Sequence, residues 1–136
     1  MKKRNYIVIL LLMLSCFAKA QTKCYSKFDT LTKRQIYTTT DSMPSYPVNG
    51  YAGMFAFISR NMKYQEGCVI TGTVYMSFIV ETDGTLTHKK IIKGITEDIN
   101  KDTLSIIDKM PKWLPGFCEG KKVPVQMVIP IRYIIR

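Results

Sequence analysis

At 136 residues the chain has room for one modest core, and 46% hydrophobic residues exclude a long disordered polymer. The net charge of +10 comes from scattered Lys and Arg, the pattern of a solvated basic face rather than of a concentrated patch. One histidine and four cysteines without a Cys-x-x-Cys pair offer no metal cluster.

Lys2, Lys3 and Arg4 form a positive start, and Tyr6 to Phe17 is almost wholly apolar. Ala18-Lys19-Ala20 is then a small-x-small site, so the pattern predicts a secretory leader over 1–20, cut between Ala20 and Gln21. The apolar run is short for a membrane span, which takes ~20 residues. An uncleaved inner-membrane anchor is one alternative; a lipid anchor on Cys16, in Met13-Leu14-Ser15-Cys16, is another. Cleavage would remove four positive charges and no negative one, leaving +6 on 116 residues. Export argues against a nucleic-acid partner. In an oxidising compartment Cys24, Cys68 and Cys118 permit at most one internal disulfide.

Residues 21–41 are polar and Thr/Lys-rich, which predicts a linker with room for an added strand at Gln35–Thr40. Pro44, Pro47 and Asn49-Gly50 are turn chemistry, and Asn-Gly permits a left-handed residue. A helix is expected from Tyr51 to about Lys63, with Ala52, Phe55, Ile58 and Met62 facing the core. Val69 to Val80 is the strongest strand, its Val74, Met76, Phe78 and Val80 alternating with Thr73, Tyr75, Ser77 and Ile79. Thr82-Asp83-Gly84-Thr85 is a hairpin turn, and the return strand runs from Leu86 to Lys93. Leu86 and Ile91 have opposite parity, which requires a bulge between them.

Thr96 caps a second helix with Glu97 and Asp98 in its first turn; Ile99, Thr103, Ile106, Ile107 and Met110 form its stripe, and Pro111 stops it. Trp113 is expected to pack over the core at the helix exit, before Pro115 and Gly116. Lys122 to Ile135 reads as a third strand. The order helix, strand, strand, helix, strand predicts an α+β fold with a three-stranded mixed sheet, order 2-1-3, and both helices on one face: a split β-α-β.

Pro124 and Pro130 share a parity and lack N–H groups, which places the last strand at a sheet edge with both prolines facing outward. Such an edge is a template for another chain. Gln126, Val128 and Arg132 would offer outward N–H groups, within a partner-binding strand of Val125, Gln126, Met127, Val128, Ile129, Ile131, Arg132 and Tyr133. In this topology Cys68 and Cys118 lie at opposite ends of the sheet and are excluded as a disulfide, while Cys24 could pair with either. His88 stands among lysines as a solvated strand residue. No nucleophile motif, acid–base pair or phosphate loop is present, so neither an enzyme nor a small-molecule or cofactor site is expected.

Three stretches carry a resemblance. They are Met43-Pro44-x-Tyr46-Pro47 with Gly50; Gly72 through Val80-Glu81-Thr82-Asp83-Gly84; and Met110-Pro111-Lys112-Trp113-Leu114-Pro115-Gly116, followed by Gly120-Lys121 and a strand through Pro130-Ile131. In order and at this spacing, residues 42–136 resemble the TonB C-terminal domain family, in its Bacteroidetes-type form. Val48-Asn49 stands where the family usually has glycine. The resemblance implies a module of the Gram-negative periplasm whose edge strand pairs with a short segment of an outer-membrane TonB-dependent receptor, or of another envelope protein, during energy-dependent transport. A membrane-anchored energy transducer is the alternative it allows. About 20 residues between the leader and the domain reach only ~70 Å when extended. An edge strand also permits pairing with a second copy, as a homodimer.

Overall fold

The computed structural model describes residues 24–63, 67 and 69–135. The leader, the Ala20–Gln21 cleavage position, Cys16 and Cys68 lie outside them. Nine elements follow in order: β1 (Tyr25–Asp29), β2 (Arg34–Thr39), α1 (Gly50–Asn61), β3 (Ile70–Val80), β4 (Leu86–Lys93), α2 (Glu97–Asp108), β5 (Gly116–Cys118), β6 (Lys121–Val123) and β7 (Val125–Ile135).

β3 and β7 are the backbone of the fold. They pair antiparallel without interruption from Ile70↔Ile135 to Val80↔Val125. Alternation decides which side is core. Val74, Met76, Phe78 and Val80 of β3 face inward with Val125, Met127, Ile129, Ile131 and Tyr133 of β7, and all are buried. Met54 and Ile58 of α1 and Ile99, Ile106 and Ile107 of α2 cover that face. Among the described residues the other face carries no helix, the usual arrangement for an antiparallel sheet with one solvated side.

The α+β class, the two helices and the 3-1-2 relation of β7, β3 and β4 agree with the expectation, but the sheet has five strands, not three, in the order β1-β2-β7-β3-β4. The extra pair comes from the polar stretch expected as a linker; β2 is the added strand allowed at Gln35–Thr40, and β1 joins it in an antiparallel hairpin that was not expected. The expected third strand also divides. Pro124 separates β6 from β7, and β6 pairs with the short β5. Glu119 and Gly120, both at positive φ, turn that small hairpin.

The expected α1 stripe holds in part. Ile58 is buried and Met62 packs against the core as expected, whereas Ala52 and Phe55 are exposed and Met54, one turn before Ile58, is buried in their place. Asn49 and Gly50, both in left-handed backbone, lead into the helix. In α2, Ile99 N–H donates to Thr96 Oγ1, and Ile99, Thr103, Ile106 and Ile107 are buried, as the pattern predicts. Thr103 Oγ1 donates to the Ile99 carbonyl at 2.8 Å, so the Tyr133 hydroxyl donates to Thr103 at 2.7 Å. This buried thread ties α2 to the end of β7. Burial raises the Tyr133 phenol above its ordinary range.

The bulge required between Leu86 and Ile91 is present. The β3–β4 register shifts between Ser77 and Ile79, and His88 takes φ 49° there. Cys24 is disulfide-bonded to Cys118, which selects one of the two pairings left open for Cys24. Asp41 reinforces the same corner by accepting the Glu119 N–H at 2.7 Å.

The β1–β2 hairpin is also held by charge. Arg34 donates both Nη groups to the Glu81 carboxylate at 2.6 and 2.7 Å, and Thr87 donates to it as well. The Arg34 fork, followed by Thr87, holds the Glu81 carboxyl below its ordinary value of 4.5. A depressed folded-state pKa gives stability that is complete above pH 4.5 and is lost as pH falls through the lowered value. Glu81→Gln is expected to cost about 1 kcal/mol at neutral pH, the value of a partly exposed charge-assisted pair. Urea unfolding at pH 7 and at pH 3 checks it; the gap between the parent and the variant should be smaller at the lower pH.

Candidate partner-binding edge

The last strand is not the outermost one, a correction to the expected order: β2 and β1 stand beyond it. The cover is short. β2 runs parallel to β7 and meets it in one register pair, Tyr37↔Val125, with Tyr37 N–H donating to the Pro124 carbonyl at 2.9 Å. In a parallel ladder the return bond from such a bridge is made by the Gln126 N–H. β2 then ends at Thr39 and the chain turns back to pair Ser42 with Phe117. From Val128 onward β7 has no strand neighbour on its outer flank among the described residues.

Parity decides what that flank presents. The odd residues of β7 bond to β3, so Gln126, Val128, Pro130, Arg132 and Ile134 direct their backbone groups outward. Gln126 is taken by β2. Pro130 offers only its carbonyl, which leaves the N–H groups of Val128, Arg132 and Ile134 as outward donors. The side chains of this set sit on the solvated face, where Val128 is 51% and Ile134 49% exposed. Val125, Met127, Ile129, Ile131 and Tyr133 are core residues and touch a visitor only through their strand.

A groove of about 650 Å³ borders the same flank. Phe55 and Ser59 of α1, with Met62 just after it, form one wall; Pro130, Arg132 and Ile134 form the other, with Thr73 and Tyr75 behind them. Sequence reasoning misses Phe55 and Tyr75 here: apolar spacing alone places Phe55 on the core side, where the structure leaves it 45% exposed.

The residues quoted as signatures do structural work. Pro44 and Pro47 flank Tyr46, whose ring packs beside Trp113 and Phe57. Gly84, at φ 85°, closes the β3–β4 turn; a Cβ there would stand 2.0 Å from the Trp113 carbonyl oxygen. Asp83 accepts from the Thr85 hydroxyl and N–H, which with Lys112 hold its carboxyl down at about 2. Gly116 leaves room for Val125 and Pro44, Gly72 for Ile95, and Pro111 follows the last turn of α2. Pro115 leads into β5.

The fold and the flank together define a small two-layer α+β module, closed by helices on one face of its sheet and open along one strand. The sequence model described as "Gram-negative bacterial TonB protein C-terminal" matches residues 69–135, from the start of β3 to the end of β7. The chain belongs to the TonB C-terminal domain family through that region. The family is one of the Gram-negative envelope and of energy-dependent transport, without an enzymatic role. Neither a curated protein nor a solved structure matches the chain. Among the described residues no helix is long and apolar enough to cross a membrane.

Proposed function

We propose that this protein is a periplasmic TonB-like module that binds a short extended segment of an outer-membrane receptor by adding it as a strand to β7. Residues 1–20 act as a leader, and the module works without the membrane helix of an energy transducer. The observation that carries this reading is the outer flank of β7 from Val128, where outward backbone groups stand unpaired beside an apolar groove. Such groups are a ready template for main-chain pairing, and flanking pockets add side-chain selectivity. β2 limits the register, because it already occupies the pairing position at Val125. The family membership supplies the transport context. Self-pairing of two β7 flanks is the competing use of the same surface.

Val128→Pro removes one outward donor and leaves every β3 bond in place, since Pro130 is already tolerated at the same parity. It is expected to weaken capture of outer-membrane partners from envelope extract about tenfold, the effect of one lost hydrogen bond plus a steric block. Equal capture by the parent and the variant would sink strand addition at this flank. N-terminal sequencing of the envelope-localised protein should read Gln21 first.

A further inference from the structure

The solvated face of the sheet is not flat. β1 and β4 are its two opposite margins, and across a flat five-stranded sheet they would stand ~19 Å apart. Yet Lys27, Phe28 and Leu31, from β1 and the turn after it, line one cavity of about 230 Å³ with His88 and Lys90 of β4. The hairpin therefore curls over the face and makes a cup. Its floor sets two buried apolar residues, Ile36 at 4% and Ile79 at 7% exposed, beside a polar pair in which Gln126 Nε2 donates to Ser77 Oγ at 3.1 Å. The wall is apolar and wet, since Phe28 is 53% and Leu31, next to the hairpin turn, 88% exposed.

The rim carries an excess of positive charge. Lys27 and Lys90 line the cavity with one carboxylate, Asp29, and His88 stands beside them. Asp29 is held ionised by the Thr32 hydroxyl and N–H, at 2.5 and 2.9 Å, so one of the two lysine charges is left over; the nearby Glu81 is bound by Arg34. A second copy presenting the same cup would set lysines against lysines. Residues 1–23 of this chain carry only positive charges and fit it no better. The complement of an apolar floor with a cationic rim is an apolar side chain flanked by carboxylates.

We propose that this cup is a second docking site, separate from the β7 flank, for a partner protein segment in which large apolar residues alternate with acidic ones. The reading stands on the cup alone and does not depend on strand addition. The test titrates the isotope-labelled chain, as recovered from the envelope, with the peptide acetyl-Glu-Phe-Glu-Leu-Glu-amide and with its lysine counterpart. Saturable amide shifts at Phe28, Leu31, Ile79 and Lys90 are expected with the acidic peptide only. Raising salt from about 0.05 to about 0.5 M should weaken them, as screening demands of exposed charges. Lys27→Glu combined with Lys90→Glu, both at exposed positions, should cost roughly tenfold in affinity with the spectrum of the fold preserved. Val128→Pro should change nothing. Equal binding of the lysine peptide, undiminished binding by the charge-reversed variant, or shifts confined to β7 would each overturn the proposal.

Discussion

Reduction of the Cys24–Cys118 disulfide, or its removal by Cys24→Ser, is expected to cost roughly 4 to 5 kcal/mol, the chain-entropy value for a closed loop of about 100 residues. The bridged residues are 94 apart, so the elements from β1 to β5 lie inside the loop and β6 and β7 follow it. Domains of this kind hold only about 5 to 15 kcal/mol in total, so the loss is a large share of the whole. The hairpin should open first. β1 pairs with β2 alone, and β2 meets β7 in a single register pair aided by the Arg34–Glu81 fork. Guanidinium unfolding with and without reductant measures the total, and hydrogen exchange over residues 25–39 measures the hairpin. An unchanged midpoint under reducing conditions would show that the bridge is dispensable.

Trp113→Ala should cost about 3 to 5 kcal/mol, the range for an aromatic deleted from a packed site. Trp113 is 3% exposed and meets Phe78 and Tyr46 edge-on, with centroids 5.3 and 6.0 Å away. Its backbone N–H donates to the Gly84 carbonyl at 2.8 Å, so one residue joins the exit of α2, the β3–β4 turn and the segment before α1. The indole Nε1 is buried without a partner among the described residues. Trp113→Phe should therefore be much milder than the alanine change, because removing an unsatisfied donor offsets part of the lost volume. Gly84→Ala should approach the cost of Trp113→Ala, since a Cβ there meets backbone rather than a side chain that could move. Thermal unfolding of the three variants ranks them; a phenylalanine variant as unstable as the alanine one would show that the indole N–H has a partner after all.

The two sites differ in how they are built. The β7 flank is a backbone feature, created by the unpaired stretch after β2 stops. The cup is a side-chain feature, created by the same hairpin bending over the other side of the sheet. One short segment, Tyr25–Thr39, thus bounds both. Loss of the disulfide should accordingly disturb the cup more than the far end of β7, which is held by its full ladder to β3 and by the Tyr133–Thr103 thread.

The sequence alone determined the central part of the fold. Alternation over Val74–Val80 and Val125–Tyr133, the Asp83-Gly84 turn, the parity change at the bulge and the Thr96 cap are local signals, and local sterics and periodicity are sufficient to read them. Pro124 and Pro130 likewise showed which backbone flank lacks donors, because a missing N–H is a property of the residue itself. Only the tertiary structure decided that Tyr25–Asp29 is a strand and that the one legible at Gln35–Thr40 joins the sheet beside β7, that Cys24 pairs with Cys118, and that Phe55 lines a groove. The hairpin is polar on its own and gains its order from a distant disulfide, from Arg34 reaching Glu81 47 positions away, and from Ile36 finding the open face. No local pattern encodes partners that remote. Ile58 and Met62 were legible in the spacing of α1, whereas the burial of Met54 in place of Phe55 was decided by what the helix packs against.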